Sequence, residues 1–87
     1  MDIRHRYNEA LDKLEVDVNS GLTELIDIYC VAINSFENDI VDSISLYVTD
    51  MGDENTCGYL EKILLINEDP YLKKEFNEWI KEIKKKS

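Results

Sequence analysis

Apolar positions recur along this chain mostly at steps of three and four, the period of helices that bury one face. Ile3, Tyr7, Leu11, Leu14 and Val18 form the first such stripe, with Asp2 placed to cap it, and predict a helix over about residues 3–18. Asn19-Ser20-Gly21 reads as the end of that helix and Ser20 as the cap of a second one, whose face is Leu22, Leu25, Ile26, Tyr29, Ile33 and Phe36. Ile28, Cys30 and Val31 widen this stripe until most of the circumference is apolar, as in a central helix or one buried in a dimer. The pattern runs for about fifteen residues, longer than an ordinary strand, and so favours helix.

Further along, Asn34-Ser35-Phe36-Glu37 offers a cap with an acid three residues on, which predicts a break and a third helix through Ile40, Ile44, Tyr47 and Val48. Ile44 to Thr49 also alternates apolar and polar, so a short edge strand over 44–49 stays open as the alternative. Asp50 to Asn55 has the polar and glycine content of a loop, and Tyr59, Leu60, Ile63, Leu64 and Ile66 indicate a short fourth helix. Asp69-Pro70 is a start signal, because proline at the first helical position lacks only a donor that would have no partner there. Leu72, Phe76, Trp79, Ile80 and Ile83 then mark one face of a last helix. No internal repeat interrupts this order. The expected fold is all-α, a compact bundle of four to five short helices forming a single domain over 1–87.

Size narrows the function. A chain of 87 residues buries only roughly 60% of the surface it exposes when unfolded. Its 44% of hydrophobic residues suffice for a core but leave little for a deep substrate cavity, so we expect no enzyme. No stretch approaches the ~20 apolar residues of a membrane span, and Met1 to Arg6 carries charge where a secretory leader is apolar. Two cysteines, Cys30 and Cys57, are too few and too far apart for a disulfide framework or a paired metal site. Cys30 lies in an apolar run and reads as a buried, space-filling thiol. These features fit the cytoplasm.

Charge is distributed unevenly. The chain holds 19 acids and 10 bases, for a net charge of −9. Residues 1–13 are neutral and residues 62–87 carry +2, whereas the 48 residues from Leu14 to Glu61 hold 11 acids and no lysine or arginine. Such a segment repels itself and is incompletely screened at a Debye length of ~8 Å. An acidic face for a basic partner gives that repulsion a purpose, since it speeds association and turns nucleic acid away. Tyr47, beside Asp42, Asp50, Asp53 and Glu54, joins an interface-prone residue type to steering charge, and Glu37 and Asp39 extend the set on the N-terminal side. The run Lys84-Lys85-Lys86 reads as a favourable end to the helix dipole more than as a nucleic-acid or membrane patch, because Glu75, Glu78 and Glu82 on the same helix offset it.

Catalytic and cofactor chemistry find no foothold. His5, the only histidine, stands between two arginines and is a poor base or ligand. Asp53 to Gly58 imitates the opening of a calcium loop, but Cys57 occupies its fifth position and Leu64 its twelfth, where a bidentate glutamate is needed. With only Gly21, Gly52 and Gly58, no phosphate-cradling loop can be built. We therefore expect no cofactor and no metal.

The reading is a small acidic module that docks on and inhibits a basic protein such as a nuclease, a toxin or a nucleic-acid-binding protein. Its expected contact residues are Glu37, Asp39, Asp42, Tyr47, Asp50, Asp53 and Glu54, with no direct contact to nucleic acid or membrane. Antitoxins and phage antagonists act in this way. In size and acidity the chain is similar to the helical immunity proteins that neutralise nuclease bacteriocins, without the paired tyrosines of their binding helix: Tyr7, Tyr29, Tyr47, Tyr59 and Tyr71 stand singly. The alternative is a homo-oligomeric structural or regulatory module in which the helix near 22–36 pairs with its copy as a homodimer.

Overall fold

The computed structural model describes residues 2–86, which fold into five α-helices: α1 Ile3–Val16, α2 Val18–Ala32, α3 Asn38–Met51, α4 Glu54–Ile66 and α5 Pro70–Lys86. The stretch 44–49 is helical, because Ile40, Ile44 and Val48 at four-residue steps all turn into the core. Strand-like alternation over six residues yields to that longer helical register.

The break between α1 and α2 falls earlier than Asn19-Ser20-Gly21. A single residue, Asp17, makes it. The Asp17 N–H donates to the Lys13 carbonyl at 2.8 Å and closes α1, while its carboxylate accepts from the Ser20 N–H at 3.4 Å and the Ser20 hydroxyl at 3.1 Å and opens α2. Asn19, Ser20 and Gly21 therefore lie inside α2. Gly21 serves packing and not termination, because a Cβ there would sit 2.6 Å from the Leu14 Cα and 2.7 Å from its backbone N. The missing side chain lets α1 and α2 approach backbone to backbone.

α2 is the central helix. Leu22, Leu25, Ile26, Ile28, Tyr29 and Ala32 are all buried, and the helix packs on α1, α3 and α4. Its broad apolar circumference is thus used within one chain. α2 ends at Ala32, four residues before Phe36, as the Asn34 and Ser35 N–H groups turn back to the Val31 and Ala32 carbonyls at 3.2 and 3.0 Å. Phe36 consequently leaves the α2 stripe and takes a left-handed conformation, φ 63°, in the turn. The cap of α3 is Glu37 and not Asn34.

Two later junctions are short. α3 continues through Met51, so that only Gly52 and Asp53 separate it from α4. Asp53 then closes a capping box: its carboxylate accepts from the Asn55 and Thr56 N–H groups at 3.0 and 3.2 Å, and the Thr56 hydroxyl accepts from the Asp53 N–H at 3.2 Å. The Asp53 carboxylate, the first oxygen donor of the calcium-loop imitation in the sequence, is engaged in this cap. Asp69 starts α5 as its sequence foretells, accepting from the Tyr71 N–H at 2.9 Å ahead of Pro70 at the first helical position.

α5 closes the core with Leu72, Phe76, Trp79, Ile80 and Ile83. The rings of Tyr29, Phe76 and Trp79 form one cluster, with Trp79 edge-on to Tyr29 at 4.6 Å and Phe76 5.0 Å from Trp79. The Trp79 indole N–H donates to the Ser45 hydroxyl at 3.1 Å and ties α5 to α3. Tyr7 hydrogen-bonds Ser43, joining α1 to α3, and Tyr59 donates to Asp27, joining α4 to α2. Among the described residues no buried side-chain polar atom lacks a partner.

Two glycines in helices should respond oppositely to alanine. Gly21→Ala forces α1 and α2 apart and should lower stability by about 1–3 kcal/mol. Gly58→Ala, where a Cβ meets nothing within 4 Å, should raise it by about 0.5–1 kcal/mol. Urea unfolding followed by circular dichroism reads both.

Candidate functional site

The expected contact residues centre on α3, and the register of that helix sorts them. With Ile40, Ile44 and Val48 inward, Asp39, Asp42, Leu46 and Asp50 fall on the outward side. Leu46 is 70% exposed, an aliphatic residue set among carboxylates. Tyr47 is half-buried at the flank, where it lines a shallow depression with Ser43, Leu46, Asp50 and Lys86.

Cations from the two chain termini reach the two ends of α3. At its start, one Arg4 nitrogen donates to Glu37 at 2.9 Å and to Asp39 at 3.0 Å. The Asp39 hydrogen bond holds the guanidinium pKa above its usual value, and Arg4 in turn holds Asp39 below the usual carboxylate range. At its end, the Lys86 ammonium donates to the Thr49 carbonyl at 2.6 Å and lies 3.7 Å from the Asp50 carboxylate, where the helix dipole also favours a cation. Asp42, midway, lies outside both arrangements.

The remaining expected residues separate from this face. Asp53 is occupied as the α4 cap, and Glu54 borders a cleft of about 530 Å³ that Lys84 and Lys86 also line, together with Gly58 and Glu61. The C-terminal lysines thus offset the Asp53–Glu54 end of the set. Of the seven expected positions, Asp39, Asp42 and Asp50 share the exposed side of α3, with Tyr47 at its edge; Glu37 sits at its entrance; Asp53 and Glu54 belong to another corner.

α5 contributes acids that sequence reasoning assigned only to balancing lysines. Contacts of Ser45 with Trp79 and of Asp50 with Lys86 make α3 and α5 run parallel. Between them lies a groove of about 510 Å³ with Ser45, Thr49 and Trp79 on its inner side and Glu75, Glu78, Lys81 and Glu82 along its α5 wall, three carboxylates to one ammonium. These glutamates stand at i, i+3 and i+7, one stripe of the helix. Glu82 pairs with Lys85 at 3.6 Å on its own helix. Burial first, then the Tyr71 hydroxyl, and after them the charges of Glu75 and Asp42 raise the pKa of the buried Tyr29 hydroxyl. The spacing of 75, 78 and 82 was visible in the sequence; the parallel pairing that sets them beside α3 was not.

The histidine and the two thiols lie away from this face. His5 is exposed and pairs with Glu9 at 3.0 Å. Burial raises the thiol pKa of both Cys30 and Cys57, the opposite of an activated nucleophile. Among the described residues no group of three or more His, Cys, Asp or Glu is arranged to hold a metal ion, and no helix is long and apolar enough to cross a membrane.

Comparison with protein-family models, with curated proteins and with solved structures finds no match to this chain.

Two tyrosines tie the stability of the fold to pH. Burial, with the neighbouring Tyr71 hydroxyl, raises Tyr29 well above the usual tyrosine range; burial and the Asp27 carboxylate push Tyr59 up to about 12. A folded pKa above the unfolded value of about 10 means that the neutral phenols stabilise the fold fully below pH ~10 and that this contribution is lost as pH climbs through the folded values. The unfolding midpoint should therefore fall steeply between about pH 10 and 12, and tyrosinate absorbance should rise together with loss of helix. Tyrosinate formation complete near pH 10 in a still-folded protein contradicts this.

Proposed function

We propose that this protein is a small acidic binding module that docks on a basic protein through the outward side of α3 and the α3–α5 groove, covering the partner's cationic site. A nuclease, a toxin or a nucleic-acid-binding protein has the required chemistry, and a cytoplasmic setting suits the two thiols. The observation that carries this reading is the excess of carboxylates on this face: Glu75, Glu78 and Glu82 line the groove against the single cation Lys81, and Asp42 and the exposed Leu46 stand on the outward side of α3. Carboxylates around an apolar residue are complementary to a cationic amphipathic segment, with charge guiding the encounter and apolar burial holding it. The pairing of two copies through 22–36 has less to work with, because of the large apolar side chains of that stretch only Val31 and Phe36 are exposed and the rest of the α2 face is used in the core.

The test uses a fluorescein-labelled amphipathic helical peptide with one leucine face and one lysine face. Fluorescence anisotropy should show binding that weakens at least about tenfold as ionic strength rises beyond the screening of surface charge. The reversals Asp42→Lys and Glu78→Lys should together weaken it by about tenfold or more, with slower association. Binding that ignores those reversals, or is equal for a peptide with glutamate in place of lysine, overturns the reading.

A further inference from the structure

Phe36 combines two unfavourable features. It is the one described non-glycine residue with positive φ, at 63°, and its side chain is 93% exposed. The left-handed region brings Cβ against the backbone and is an outlier for a bulky residue, so asparagine or glycine suits such a turn better. Exposure of the ring leaves its apolar area in water with no return from the core. Nothing in the packing of the bundle asks for an aromatic here.

Next to Phe36 lies a depression of about 250 Å³, the size of one long side chain, between the α2–α3 turn and the start of α5. Ile33, Asn34, Asn38, Val41, Asp69 and Tyr71 line it. Its chemistry suits a cation: Asp69 brings a carboxylate of which Oδ1 caps α5, the two asparagines bring amide groups, and Tyr71, 48% exposed, brings an aromatic ring. Asp42 and Glu75 bear on the Tyr29 hydroxyl beside Tyr71 and add to the negative field. On the other side of the turn, Glu37 and Asp39 already hold one guanidinium, that of Arg4.

We propose that the α2–α3 turn is the anchor of the partner contact: Phe36 enters an apolar site on the basic partner, and the adjoining depression receives a lysine or arginine that borders that site. This rests on the acidic docking reading and specifies the partner as one whose cationic surface surrounds an apolar recess. It also explains why a strained, exposed ring stands where glycine would fold better.

Phe36→Gly separates the two roles by sign. Glycine enters the left-handed region freely, so the unfolding midpoint should rise by about 3 °C. Affinity for the labelled leucine–lysine peptide should nevertheless fall about tenfold, as for loss of an interface anchor. Phe36→Asn, which keeps the turn conformation without the ring, should weaken binding equally. Asn38→Lys, which places a cation at the depression, should weaken it about tenfold, with the midpoint lowered only slightly by a cation at the start of α3. If the peptide responds to Asp42→Lys and Glu78→Lys but not to changes at Phe36 and Asn38, the anchor is wrong while the docking reading stands. If it fails to bind, or ignores all four positions, both fall.

Discussion

Trp79 is where the fold and the charge pattern meet. Its ring completes the aromatic cluster with Tyr29 and Phe76 between α2 and α5, and its indole N–H holds Ser45 of α3 at 3.1 Å. One side chain therefore packs α5 against the central helix and fixes it parallel to α3. The register follows from that bond. With Trp79 held at Ser45, Glu75, Glu78 and Glu82 line a groove beside Ser45 and Thr49 of α3, together with Lys81. A rotation of α5 by one residue, about 100°, would turn its glutamate stripe away from α3 and its aromatics out of the core.

The second constraint is the lack of any lysine or arginine from Leu14 to Glu61. Cations for the middle of the chain can come only from its two ends, and they do: Arg4 reaches Glu37 and Asp39, Arg6 and Lys13 reach Glu24 at 3.5 and 3.7 Å, and Lys86 reaches Asp50. Exposed pairs of this kind add little stability, so the core holds the fold. What they decide is where negative charge stays concentrated. Each end of α3 receives one cation, Arg4 shared by two carboxylates at its start and Lys86 at its end, whereas Asp42 at its centre is reached by neither; Lys81 is the cation of the neighbouring α5 groove.

How much of this was legible in the sequence follows from the range of each interaction. Periodicity gave the helical class and the inward faces of α3 and α5, because both depend on residues three and four apart. Gly21 misled as a helix end since the reason for it, the Leu14 backbone on another helix, is tertiary; Asp17, three residues before Ser20, was the local signal for the real break. Phe36 fitted the α2 stripe by spacing alone and was moved off it by the carbonyl turn at Val31 and Ala32. For the site, the acids of α3 were readable, whereas the split of Glu37, Asp53 and Glu54 from the rest, and the arrival of Glu75, Glu78 and Glu82, depend on helix pairing that no local pattern encodes.

The central claim is that the paired carboxylates of α3 and α5 form one cation-recognising surface. Amide chemical-shift mapping of the isotope-labelled protein during titration with the leucine–lysine peptide tests it most directly. The account expects the shifts to concentrate at Asp42, Leu46, Glu75 and Glu78 and at the Trp79 indole N–H, and to diminish with added salt. Shifts spread evenly over the acidic residues of α1, α4 and the Asp53–Glu61 corner, with Trp79 unmoved, would contradict it.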